Sequence, residues 1–155
     1  MSDTCIKHIE DYWKFITNKS NELFNKGNFE EALSNYKQAL YRAEVLCNNI
    51  PNCIKSAIPF MQIYIISCNN VAYTYEKLGK YDKAEHMLKK VISYLIFMLN
   101  KEELIKPVIV QSELKRASLA YIQFLEENKN GEHKKEQLFY TLVQKLKEKE
   151  FQIYN

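Results

Sequence analysis

The sequence predicts an all-α fold of about six helices arranged as three antiparallel helical hairpins, and three observations predict it. The 155 residues contain only three glycines and three prolines, so there are few places for tight turns and long helices can run uninterrupted. Apolar and small residues recur at helical spacing in successive blocks. Gly27, Gly79 and Gly131 recur at one interval of 52 residues (79 minus 27, 131 minus 79), and a glycine suits the left-handed turn that ends one helix before the next begins.

Taken in order, the helices are expected at about 4–26, 29–48, 54–78, 81–100, 103–127 and 132–150. They pair as hairpins over about 4–48, 54–100 and 103–150, within one domain spanning 1–155. In the first hairpin Ile16, Ser20 and Leu23 precede the glycine, and Ala32, Tyr36, Ala39 and Leu40 follow it. In the second, Cys68, Ala72 and Tyr75 precede, and Ala84, Leu88, Val91 and Ile92 follow. Each set lines one face of a helix. An aromatic two residues after the glycine (Phe29, Tyr81) is expected to anchor the next helix in the core, and the alanines Ala32 and Ala84 let helices approach closely. Asn28 with Glu31 suggests a capping box. Between the first two hairpins, residues 47–59 read as a longer linker. Pro59 and Pro107 each either start or kink a helix. In the third hairpin Ala117, Ser118 and Tyr121 repeat the first-helix pattern, whereas Glu136 replaces the packing alanine. Leu138, Leu142, Val143 and Leu146 form one apolar stripe opposite Lys134, Lys135, Lys145 and Lys149, as in a capping hairpin.

The stretches Gly27-Asn28-Phe29-Glu30-Glu31-Ala32-Leu33 to Leu40 and Asn70-Val71-Ala72-Tyr73-Thr74-Tyr75 to Gly79-Lys80-Tyr81-Asp82-Lys83-Ala84 resemble the tetratricopeptide repeat. A looser likeness, in Asn35 to Leu40 and Ile66 to Ala72, is to a small uncharacterised gammaproteobacterial family. The resemblance implies that the hairpins stack as a right-handed superhelix whose first helices line a concave groove. The interval of 52 departs from the usual period of about 34, so family residues carry over only within the matching stretches.

Composition narrows the function classes. With 46% hydrophobic and 26% charged residues, the chain is ordinary for a globular protein, and it needs no disulfide or metal staple. Its net charge of +3 is spread as interleaved lysines and glutamates, which argues against a nucleic-acid stripe. The apolar runs 58–66 and 91–99 fall short of the roughly 18 residues a membrane span needs. No leader is evident before Asp3, Lys7 and His8, and a cytoplasmic setting is expected. Cys5, Cys47, Cys53 and Cys68 lack the paired spacing of zinc sites and read as small apolar residues, with a regulatory thiol open for Cys47 or Cys53. His8, His86 and His133 have no nucleophile or carboxylate at a catalytic spacing. Adjacent Glu30 with Glu31, and Glu102 with Glu103, point in different directions on a helix. Neither enzyme activity nor a cofactor or metal is expected.

The remaining class is a binder of a protein or peptide. The resemblance implies a partner-binding groove from Lys14, Thr17, Asn18 and Asn21 in the first helix, Asn69, Asn70, Tyr73 and Lys77 in the third, and Lys115 and Arg116 in the fifth. Asn25, Ile66, Ser112, Leu119 and Gln123 lie alongside. Asn21, Asn70 and Arg116 also match positions of the carboxylate clamp by which some tetratricopeptide proteins grip acidic C-terminal tails, whereas Thr17 and Ser112 replace the clamp lysines. Two alternatives stand beside it: a homodimer formed through Trp13, Tyr41, Tyr94, Phe97 and Tyr154, and a sensor responding to a peptide or small ligand.

Overall fold

A computed structural model describes residues 1–128 and, beyond them, residues 137, 138, 140–142, 144, 145 and 148. Six continuous helices and no strand occur among the described residues: α1 (Asp3–Asn25), α2 (Phe29–Cys47), α3 (Ile50–Lys55), α4 (Phe60–Lys77), α5 (Tyr81–Leu99) and α6 (Pro107–Glu127). The chain divides into two compact units, Met1–Met87 and Leu88–Asn155.

In the first unit α2 is central. It packs against α1 and α4, and α3 sits against α1 and α2. The packing face of α2 carries Ala32, Ala39 and Ala43, each at most 1% exposed. Such small side chains let neighbouring helices approach closely. Larger groups, among them Ile6, Leu46, Met61 and Val71, are fully buried around that face, each contributing on the order of 1.5–3 kcal/mol.

Two turns follow the glycine expectation. At the end of α1 the Asn28 amide donates to the Leu23 carbonyl and the Gly27 amide to Phe24, with Gly27 at φ +81°. After α4, Lys80 donates to Tyr75 and Gly79 to Glu76, with Gly79 at φ +71°. Both are Schellman motifs, which satisfy the last carbonyls of a helix and require a left-handed residue. Asn28, however, makes no side-chain cap bond, so the expected capping box does not form. Phe29 does meet Phe24 edge-on at 5.1 Å, whereas Tyr81 is 47% exposed and does not anchor α5 in the core.

The expected helix over 54–78 is two helices. α3 ends in a third Schellman motif, Ile58 donating to Cys53 and Ala57 to Ile54, with Ala57 in the left-handed region at φ 54°. Pro59 then caps α4 without an amide to donate, so one helix cannot run through the segment. The expected linker over 47–59 thus contains a helix, and Cys53 and Ile58 within it are buried. This insertion lengthens the first interval between glycines.

In the second unit α5 buries Leu88, Val91, Ile92, Leu95, Met98 and Leu99, and α6 buries Val110, Leu114, Tyr121, Phe124 and Leu125. α6 starts at Pro107, later than the expected residue 103, because the proline ring presets the helical φ at a first position. Lys106 before it is extended at ψ 130°, as a residue preceding proline must be. Most of the helix expected over 132–150, with Gly131, Glu136 and Tyr154, lies outside the described residues; Leu138 is buried and Lys145 pairs with Glu148 at 3.3 Å.

Candidate functional site

The first unit holds a cavity of about 280 Å³ lined by Asn21, Phe24, Asn25, Tyr36, Asn70 and Tyr73. Helical spacing on α1 places Asn21 and Asn25 on one face a turn apart, while α4 supplies Asn70 and Tyr73. The central helix α2 contributes Tyr36, whose hydroxyl donates to Asn21 Oδ1. That bond uses the carbonyl side of the amide and orients its two N–H donors away from Tyr36. Burial raises the Tyr36 phenol above its ordinary value. Burial, with Glu76 second, does the same to Tyr73. Both hydroxyls are therefore donors at neutral pH. The result is a polar, uncharged rim with aromatic walls.

Of the residues expected to form a groove, Asn21, Asn70 and Tyr73 are brought together here, with Asn25 alongside. Lys14, Asn18, Asn69 and Lys77 do not line the cavity. Lys14 is engaged by Glu10 at 3.0 Å. Glu10, only 4% exposed, also takes Lys7 at 2.6 Å. Burial presses its carboxyl toward the neutral form, but the two lysines outweigh burial and hold it below its ordinary value.

Thr17, one turn before Asn21, is 7% exposed, and its Oγ1 finds no hydrogen-bond partner among the described residues. The contrast with its neighbours is informative. Ser20, Ser67 and Thr74 each donate to the carbonyl four residues earlier, Ile16, Ile63 and Asn70. Lys115 and Arg116 are exposed in the second unit, where Arg116 pairs with Glu113 at 3.0 Å.

Phe24 and Tyr36 are the lining residues that sequence reasoning missed. Tyr36 reads as a packing residue because it falls on the buried stripe of α2, and one helix pattern cannot show that its hydroxyl ends on another helix. The signal available was chemical: a buried tyrosine needs a partner for its hydroxyl. Elsewhere, Cys53 is buried and its thiol is pushed up to about 11 by burial first, then by Cys47 and Glu10, so it is protonated at neutral pH and a poor nucleophile. The second unit has a cavity of about 260 Å³ between α5 residues such as Ile92 and Ile96, Tyr121 of α6, and Gln137, Leu138 and Thr141. No group of three or more metal-binding side chains occurs among the described residues, and none of their helices is long and apolar enough to cross a membrane.

Compared with known proteins, residues 11–147 match the model of the family described as protein of unknown function (DUF2753). The chain belongs to that family. No curated protein and no solved structure matches it.

Proposed function

We propose that this member of the DUF2753 family is a non-catalytic binding module whose first unit takes a segment of another protein at the asparagine and tyrosine cavity. One observation carries the reading: Asn21 and Asn70, far apart in the chain and on different helices, line one cavity together with Tyr73. Amide side chains both donate and accept, so they suit the backbone of an extended peptide, and tyrosine walls add contact area at low entropy cost. The cavity of about 280 Å³ has room for one or two side chains of a longer segment. The tetratricopeptide-like stacking of the hairpins is part of the same proposal, supported by the paired Schellman turns at Gly27 and Gly79 and by the fully buried Ala32 and Ala84.

The test is affinity capture from native lysate, with Asn21→Ala/Asn70→Ala as the control and direct titration of whatever is captured. Binding by the wild type with at least about tenfold loss in the double variant is expected, since the proposed hydrogen bonds of two amide side chains to the partner are removed. Equal capture by both proteins would overturn the proposal. Self-association has weaker support: Trp13 is buried and bonded to Ser67, which leaves Tyr41 and Phe97 as the well-exposed aromatics of that set among the described residues.

A further inference from the structure

The first unit carries a second constellation that shares no residue with the asparagine cavity. Tyr12 and Phe15 of α1 are in ring contact at 6.3 Å. The Arg42 guanidinium of α2 lies 4.9 Å from the Tyr12 ring and 5.5 Å from the Tyr41 ring. The Tyr12 hydroxyl donates to Gln38 Oε1 at 3.3 Å, which ties the row to α2. Phe15 is 61% and Tyr41 59% exposed. Exposed aromatics are unremarkable singly, but three in a connected row are a contiguous apolar surface of the kind that marks an interaction site.

Charge decides what such a surface takes. Arg42 has no carboxylate partner and no hydrogen bond among the described residues, whereas Arg116, the chain's other arginine, pairs with Glu113. The ring contacts engage the guanidinium charge and its five N–H donors make no hydrogen bond among the described residues, so a carboxylate can take two of them at once. Two rings also hold Arg42 in place before any ligand arrives, so little side-chain entropy remains to be lost.

We propose that Tyr12, Phe15, Tyr41 and Arg42 form a docking surface for an acidic segment of a partner protein, with a carboxylate on Arg42 and an adjacent apolar side chain on Phe15 and Tyr41. The surface works independently of the asparagine cavity.

The experiment is a titration of the ¹⁵N-labelled full chain with the blocked peptide Glu-Glu-Leu-Phe-Glu-Glu and with its charge-free counterpart Gln-Gln-Leu-Phe-Gln-Gln. The acidic peptide is expected to shift the Arg42 Nε–H resonance and the amides around Phe15 and Tyr41. The glutamine peptide should bind about tenfold more weakly, the scale of a charge-assisted pair. Arg42→Gln should lose about tenfold, and Arg42→Lys, which keeps the charge without the fork, should lose severalfold. Phe15→Ala, at an exposed site that leaves the core intact, should lose roughly fivefold. Asn70→Ala should bind like the wild type. Equal binding of both peptides would overturn the proposal, as would shifts confined to Asn21, Asn70 and Tyr73; the latter result would leave the cavity reading standing. An Arg42-dependent dimer in light scattering, or Arg42-dependent binding to phosphatidylserine vesicles without binding of the acidic peptide, would also overturn it, assigning the surface to a second copy or to a membrane.

Discussion

The two halves of α1 treat their polar groups differently. In the N-terminal half they are satisfied: Glu10 is held by Lys7 and Lys14, and the Trp13 indole donates to Ser67 at 2.8 Å. α3 braces this end, with Lys55 on Asp3 at 2.9 Å and the Asn52 amide on the Met1 carbonyl. In the C-terminal half Ser20 bonds back to Ile16 and Asn21 accepts from Tyr36, but Thr17 is buried without a partner among the described residues, and Asn21 and Asn25 face a cavity. The satisfied half does the work of stability. The other half leaves polar capacity unused, and the proposed binding rests on that half.

The comparison can be broken most directly at Trp13. Trp13→Ala should cost about 3–5 kcal/mol in denaturant unfolding, from lost ring volume and the lost indole hydrogen bond to Ser67; a cost below 1 kcal/mol would show that this half is not the stabilising one. Next is Glu10→Gln, expected to cost about 1–2 kcal/mol at neutral pH. Because the folded-state value of Glu10 lies below its ordinary 4.5, its contribution is fully present above that pH and is lost as pH falls through the depressed value. The gap between variant and wild type should therefore close on acidification below about 4.5. A gap that stays constant to low pH would remove the carboxylate from the account.

Thr17→Val sharpens the contrast by sign. The hydroxyl makes no bond, so its isosteric removal should raise stability by about 1 kcal/mol, while the back-bonded Ser67→Ala should lower it; a destabilising Thr17→Val would mean the hydroxyl has a partner. The smallest effect is expected beside the braced end. Ala57→Gly relieves the one left-handed non-glycine among the described residues and should gain about 0.5–1 kcal/mol. Gly79→Ala, whose added Cβ would meet nothing within 4 Å, should lose about 1 kcal/mol from backbone conformation alone. Equal and opposite midpoints in urea would confirm that φ alone sets both.

Much of the fold was legible because helix periodicity and glycine turns are local. Gly27 and Gly79 are where a left-handed residue must stand, and Ala32 and Ala84, expected on packing faces, are fully buried. Ala57 performs the same task as those glycines yet carries no turn signal, so α3 was invisible and the linker seemed plain. Part of the candidate cavity was also legible, since the tetratricopeptide resemblance places Asn21, Asn70 and Tyr73 just off the packing positions, and the three line one cavity. Thr17, in the same phase, is buried, because depth depends on the neighbouring helix.

The sequence by itself determined the all-α class, the positions of α1, α2 and α5 to within a residue and the end of α6, and the two glycine turns, all set by contacts within a few residues along the chain. Only the tertiary structure decided that Tyr36 orients Asn21, that Glu10 is buried between two lysines, and that Arg42 rests on Tyr12 of another helix. Those are pairings between segments, fixed by how buried faces fit together, and a helical pattern is the same whichever neighbour it meets.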